Sequence, residues 1–376
     1  PIRPRVGPPA HRPQQASQRR RLGLRILLVG AGAAFSTRDV EDGYLAALRA
    51  TDAEVWLYDL GTRLSLAREW VHKLWRRRGG KPEDRPGWPD AIYRGSVEAL
   101  EMALRFQADW VFIVSGMFFH PDVLEMMRRA GLRTAVLFTE SPYEDEQQAT
   151  MAALADICWT TERTSTHRLH AGYMRHAYDP ARHRTDVPLD LSLPAHDVVF
   201  VGSGFPERIE ILKSIDWTGI DLGLYGEWGL LGPTSKLRQF VRSGPVSNET
   251  AVGLYRRAKI GLNLHRSSKT YGRGAARVAH AESANPRTYE LAACGLFQVS
   301  DVRLEIYELF GDAVPMVDTS TLERTIRAYL QDSPARHHAA RQARLAVEPH
   351  TFTARAGKVL ADLELVERPQ LLQRGA

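Results

Sequence analysis

Glu282 and Glu290 are separated by seven residues, and between them runs Asn285-Pro286-Arg287-Thr288. An asparagine side chain accepts from an orphan amide of a helix's first turn. A proline just inside costs no hydrogen bond there. The spacing therefore predicts a short helix starting at Pro286 and closing at Gly295, in the position of a left-handed cap, before a buried strand over Leu296 to Val299. Such a helix start offers amides and partial positive charge to an anion, which makes Asn285, Arg287 and Thr288 candidates for holding phosphates. Glu290 follows a turn later and Glu282 precedes the helix, so two carboxylates bracket its start. A capped helix with two solvated acids explains the same letters, and the stretch alone leaves both readings open.

Further groups of this kind follow apolar runs. Asp197 to Val201 leads into Gly202, Ser203 and Gly204, whose small size lets backbone approach a phosphate, and then to Arg208, a charged fork on the next helix. Leu222 to Tyr225 ends in Tyr225, Gly226, Glu227 and Trp228, where a ring can stack on a base or simply fill the core. His265 ends the run Lys259 to His265 and is read as a ligand contact. Lys269, Arg273 and Arg277 in the glycine-rich segment beyond it are read as a loop able to close over an anion.

In the first half, Leu24 to Val29 enters a turn with Gly30 and Gly32, but no third glycine completes a dinucleotide fingerprint, which argues against a nicotinamide site. Gly32, Ser36 and Asp39 remain candidates for a second substrate. So do Ser115 at one strand end and Ser141 and Tyr143 at another. Glu140 and Glu144 flank the latter pair as possible proton acceptors.

These residues need strands that end at one place. Apolar runs at Glu54 to Tyr58, Trp110 to Val114, Thr134 to Phe138 and Ile157 to Thr160 alternate with helical segments, predicting an α/β chain with doubly wound parallel sheets. Leu64, Ala67, Trp70, Val71, Leu74 and Trp75 fall at helical spacing ahead of Arg76, Arg77 and Arg78, an amphipathic helix with a basic end. The expected division is a basic disordered tail over 1–23, a first domain over 24–181, a linker over 182–196, a second domain over 197–350, and a terminal helix and tail over 351–376.

A length of 376 residues suits two domains, and 44% hydrophobic with 25% charged residues is ordinary for a globular chain. Cys158 and Cys294 provide no disulfide framework, and no apolar run of membrane-spanning length and no leader is evident, so a cytoplasmic setting is expected. Zinc-type clusters, a P-loop and a serine elbow are not seen, and neither cofactor nor metal is expected. A net charge of +6 suits an anionic partner of any kind.

The segments FSTRDVEDGY, ESPYED, YMRHAYDPARH, DVVFVGSGFPERIEIL, LYGEW, KIGLNLH and NPRTYELAACG, in this order, resemble the CgeB-type spore-maturation glycosyltransferases of the GT-B superfamily. The Glu282/Glu290 spacing is similar to the paired-glutamate signature of retaining enzymes with that fold. The resemblance implies two Rossmann-like domains with parallel sheets facing across a cleft. It implies a nucleotide-diphosphate sugar, UDP- or GDP-linked, on the second domain, an acceptor on the first, and metal-independent transfer.

On that resemblance Glu290 binds the ribose, Arg287, Thr288, Gly202 to Gly204 and Arg208 the phosphates, and Tyr225 to Trp228 the base. Gly32, Ser36, Asp39, Ser115, Ser141 and Tyr143 take the acceptor side. Glu282 facing the sugar implies retention, while Glu140 or Glu144 beside the acceptor implies inversion with a general base; retention is the expectation. Two other classes fit less of the pattern: a non-catalytic or coat-associated protein of this fold, and a nucleic-acid-directed transferase suggested by the basic charge.

Overall fold

The computed structural model describes residues 23–32, 37–278 and 280–366. All of the predicted basic tail except Gly23, and Ser36, lie outside these residues.

The first domain is a six-stranded parallel sheet of β1 (Arg25–Val29), β2 (Glu54–Tyr58), β3 (Trp110–Val114), β4 (Arg133–Phe138), β5 (Ile157–Thr160) and β6 (Gly172–Tyr173), in the order β2-β1-β3-β4-β5-β6. Its helices are α1 (Arg38–Arg49), α2 (Leu60–Arg77), α3 (Trp88–Phe106), α4 (Pro121–Arg129), α5 (Asp145–Ala152) and α6 (Thr166–Leu169). Leu27 and Val29 face the core under α2 and α3, while Ile26 and Leu28 face the one under α1. Both faces of β1 are covered, which is why its sequence is an apolar run rather than an alternation.

The second domain repeats the plan with five parallel strands, β7 (Val198–Val201), β8 (Leu222–Tyr225), β9 (Val241–Ser243), β10 (Ile260–Asn263) and β11 (Gln298–Ser300), in the order β11-β10-β7-β8-β9. Its helices are α7 (Pro206–Lys213), α8 (Asn248–Arg257), α9 (Pro286–Ala293), α10 (Leu304–Phe310), α11 (Thr319–Gln331) and α12 (Ser333–Val347). In each sheet the strand order reverses about a central strand, and a crevice forms beyond the carboxyl ends at that point.

Helix α9 closes at Gly295 in the left-handed region, with φ +69°. The Gly295 amide donates to the Ala292 carbonyl and the Leu296 amide to the Leu291 carbonyl, a Schellman cap. Leu296 is thus spent on the helix. Strand β11 begins at Gln298, two residues later than the apolar run suggests.

The last described helix, α13 (Phe352–Leu365), returns to the first domain, where Phe352, Ala356, Val359 and Leu363 join Ile26 and Tyr44 in one buried cluster. Gly43 of α1 is a glycine for this reason: a Cβ there would fall 2.2 Å from the Phe352 ring. The Tyr178 amide donates to the His350 carbonyl and the Phe352 amide to the Tyr178 carbonyl, both at 3.1 Å, so the outgoing and returning segments cross side by side.

Candidate active site

A cavity of about 390 Å³ lies between the carboxyl ends of the two sheets. Its second-domain wall is built from the turn after β7, the turn after β8, the end of β10 and the start of α9. Asn285 caps α9 through a bond from the Thr288 amide to its Oδ1, and its Nδ2 donates to Asn263 Oδ1 at 2.9 Å. Asn263 Nδ2 in turn donates to Thr288 Oγ1 at 2.7 Å. The end of β10 is thereby bolted to the first turn of α9.

The four residues entering α9 each have their amide accepted by a side chain. Glu282 and Ser283 donate to the Glu162 carboxylate at 3.1 and 3.2 Å, Ala284 to Glu305 at 2.6 Å, and Asn285 to His265 Nε2 at 3.2 Å. With Nε2 accepting, His265 carries its proton on Nδ1 and donates to Asp301 at 2.6 Å. Burial outweighs the Asp301 carboxylate and holds the His265 pKa below its usual value. Both ring nitrogens of His265 are therefore engaged in holding the helix entry, although the residue lines the cavity.

Into this wall project guanidinium groups that lack carboxylate partners. Arg287 Nε and Nη1, Arg208 Nε and Arg303 Nε are buried with no hydrogen-bond partner among the described residues. Arg287 and Arg208 both lie over the Phe200 ring, at 4.8 and 5.5 Å. Burial, and then the like charge of Arg287, push Arg208 down to about 9. Arg208 Nη1 donates to the Ser203 carbonyl at 2.9 Å, fixing the glycine turn.

The opposite wall comes from the first domain. Asp39, in the first turn of α1, pairs with Arg182 at 3.0 Å. Burial, and then the nearby Glu290, push the Asp39 carboxyl up to about 7. Burial also raises Glu290, against the pull of Arg287 and Arg182. Glu140 is paired with Arg266 at 2.7 Å, and the Arg266 guanidinium lies 4.0 Å over the Tyr143 ring.

Of the residues singled out from sequence, Asp39, Glu140, Ser141, Tyr143, Gly202, Ser203, Arg208, Gly226, His265, Asn285, Arg287 and Glu290 line this one cavity. Others do not. Trp228 is 5% exposed, edge-on to Phe200, and a Cβ on Gly204 would meet its indole at 2.4 Å. It is a core residue, and Gly204 makes room for it rather than for a phosphate. Tyr225 turns its hydroxyl to His196, 2.8 Å away, and away from the cavity. Thr288 is fully buried in the Asn263/Asn285 network, so its side chain serves the cap.

Glu282 is not among the cavity-lining residues, although Ala281 and Ser283 on either side of it are; its amide donates to Glu162 and its carbonyl accepts from the Glu305 amide. Glu144 stands at the amino end of α5 and does not line the cavity either. Gly32 packs on Phe118, with φ +80°, and Ser115 is wholly buried; both lie off the wall. The basic loop also turns away: Arg277 pairs with Glu210 at 2.8 Å and Arg273 donates to the Leu230 carbonyl. Its root is tied down by Glu207, which accepts from the Ser267 and Ser268 amides.

Sequence reasoning missed Glu162, Arg182, Arg266, Arg303 and Glu305. Three of them lie just past strand ends, Glu162 after β5, Arg266 after β10 and Arg303 after β11, where the crevice rule would have searched.

A family model described as glycosyl transferase-like matches residues 206–361, the part that carries the arginine cluster and α9. Spore protein CgeB of Bacillus subtilis is 28% identical over 214 residues, which is 54% of this chain and 67% of that protein. Among solved structures, HepE of Anabaena in complex with UDP-glucose superposes with a TM-score of 0.59 at 12% identity, covering 92% of this chain and 100% of that one. Trehalose-6-phosphate synthase OtsA gives 0.58 at 9% identity, with coverages of 92% and 100%. UDP-GlcNAc 2-epimerase of Neisseria meningitidis bound to UDP-GlcNAc gives 0.54 at 10% identity, with coverages of 91% and 100%. The fold is GT-B.

Proposed function

We propose that this chain, whose fold is GT-B, is a CgeB-like glycosyltransferase that moves the sugar of a UDP- or GDP-linked donor to an acceptor entering from the first domain, a reading supported by the likeness to spore protein CgeB and by the glycosyl transferase-like family model. The observation that carries the reading is the set of buried, unpartnered guanidinium nitrogens of Arg208, Arg287 and Arg303 in one cavity at the start of α9. Buried guanidinium N–H groups left unpaired are costly, and a diphosphate supplies the oxygens they lack. As the glycosyl bond breaks, charge gathers on the leaving diphosphate, where the arginines and the α9 amino end stabilise it. Neutralisation by guanidinium groups makes transfer metal-independent. Two free cysteines, both buried, suit a cytoplasmic setting.

Glu290 is assigned the ribose hydroxyls. Asp39, which senses Glu290, then stands at the nucleoside end, and Glu140 is neutralised by Arg266. Among the described residues, Glu162 of the cavity wall is occupied by the amides of Glu282 and Ser283 and Glu227 by that of Gly229; on this reading a diphosphate oxygen takes the acceptor's proton and the anomeric configuration is retained. Titration with UDP and GDP, followed by incubation with their sugars in EDTA, tests this reading. Binding that Arg287→Ala abolishes, with retained configuration in the product, is expected. Absence of binding by either diphosphate, an EDTA-sensitive reaction or an inverted product would each overturn the corresponding part.

A further inference from the structure

Helix α2 presents a surface that the cavity does not use. Leu60, Leu64 and Ala67 are buried, and α3 packs along them. Around the helix from that face, Arg63, Leu66, Trp70, Lys73 and Arg77 recur at spacings of three and four and are all exposed, so they form one stripe. Leu66 is 52% and Trp70 48% exposed, with the Arg94 guanidinium 5.0 Å over the Trp70 ring. Beside the carboxyl end of α2, a groove of about 310 Å³ is lined by Val71, Leu74, Trp75 and Pro86, with Arg78 among its walls.

Charge narrows the occupant. Residues 60–85 carry eight Lys and Arg against three Asp and Glu, a net +5 in a chain whose net is +6. The chain's own residues 1–22 contain no acid and six arginines, so they are repelled from this face. A nucleic acid would satisfy the arginines but gives the Leu66 side chain nothing apolar to enter. An anionic bilayer surface satisfies both: aliphatic and indole groups enter the headgroup boundary while arginine and lysine stems lie along it with their charges on lipid phosphates.

We infer that the α2 stripe docks the enzyme on an anionic lipid surface. The amino end of α2 abuts the glycine turn after β1, since a Cβ on Gly61 would lie 2.7 Å from the Gly32 carbonyl, and Asp59, its cap, lies 4.0 Å from Arg38, the neighbour of cavity-lining Asp39. A bilayer on this face adjoins the first-domain side of the cleft. The acceptor class that follows is one carried in or on a membrane, and that extension rests on the transfer reading above.

The test is sedimentation of the full chain with phosphatidylcholine vesicles, without and with about one-third phosphatidylglycerol. Strong binding to the anionic vesicles only is expected. Changing Arg76, Arg77 and Arg78 together to Gln should weaken it roughly 100-fold. Leu66→Ser/Trp70→Ser, at exposed positions, should weaken it about tenfold or more with an unchanged melting temperature. Absence of vesicle binding, equal binding to neutral vesicles, or indifference to both variants would overturn the inference. So would DNA binding through the same arginines, or a dimer that Trp70→Ser dissolves. UDP and GDP titration of the same preparations separates the two readings: docking without nucleotide binding sinks the transferase, and the converse sinks only the docking face.

Discussion

Glu162 and Ser283 belong to different domains, and the carboxylate of the first accepts the amide of the second at 3.2 Å. The neighbouring amide of Glu282 reaches the other oxygen of the same carboxylate at 3.1 Å. The segment that aims α9 is therefore held partly by the opposite domain. Glu162→Ala should cost about 1–3 kcal/mol of stability by leaving buried amides unpaired. It should also raise the Kd for UDP or GDP, while Glu162→Gln recovers part of both. Calorimetry and melting curves read the two effects, and a Glu162→Ala variant with full nucleotide affinity would remove the coupling.

Gly202 stands where it does because of Arg287. A Cβ there would come within 2.5 Å of Arg287 Nη2. Gly202→Ala should push the guanidinium off its phosphate position and weaken diphosphate binding about tenfold, with some loss of stability because φ there is +158°. Equal binding by the variant and the parent, measured by titration calorimetry, would show that Arg287 is not a phosphate ligand.

Asp39 sets a pH dependence whose sign is opposite to that of an ordinary paired carboxylate. Its folded-state pKa of about 7 lies above the usual 3.8, with burial as the main cause. The folded form therefore holds the proton more tightly than the unfolded chain, and this group's contribution to stability falls as pH rises from about 4 to 7. Without ligand, Asp39→Asn should gain in melting temperature relative to the parent across that window, the difference levelling off above it. A difference that shrinks with rising pH would contradict the assignment.

Trp228 is expected to behave as packing. Its Nε1 has no partner among the described residues, so Trp228→Phe forfeits contacts but no hydrogen bond. A loss of about 1–3 kcal/mol in stability with unchanged affinity for UDP and GDP should follow. A large loss of nucleotide affinity in a well-folded variant would restore the base-stacking role.

Local chemistry was legible in the letters. The Asn285-Pro286 start and Gly295 stop of α9 depend on neighbours within a turn, and the apolar runs that became β2, β3, β5 and β8 match their observed limits residue for residue. Misreadings came from long-range partners. Trp228 read equally as a base platform or a core residue, because nothing nearby reveals that Phe200 and Gly204 enclose it. The placing of Glu282 likewise depends on Glu162, 120 positions earlier, whose carboxylate accepts its amide. Lys269, Arg273 and Arg277 read as an anion lid, since nothing in the segment itself reveals that Glu207 holds its root at Ser267 and Ser268, that Glu210 pairs with Arg277, or that Arg273 reaches the Leu230 carbonyl.

The return of α13 to the first domain constrains any attempt to dissect the molecule. A fragment ended ahead of Phe352 would strip the apolar cover from Tyr44 and Ile26, and a fragment begun at β7 would carry α13 with no surface to lie on. The two halves are thus sequence-discontinuous folding units, and the paired backbone at Tyr178 and Phe352 is a two-ply hinge. Rotation of one half against the other must bend both plies together, which favours a single swing axis over free tumbling.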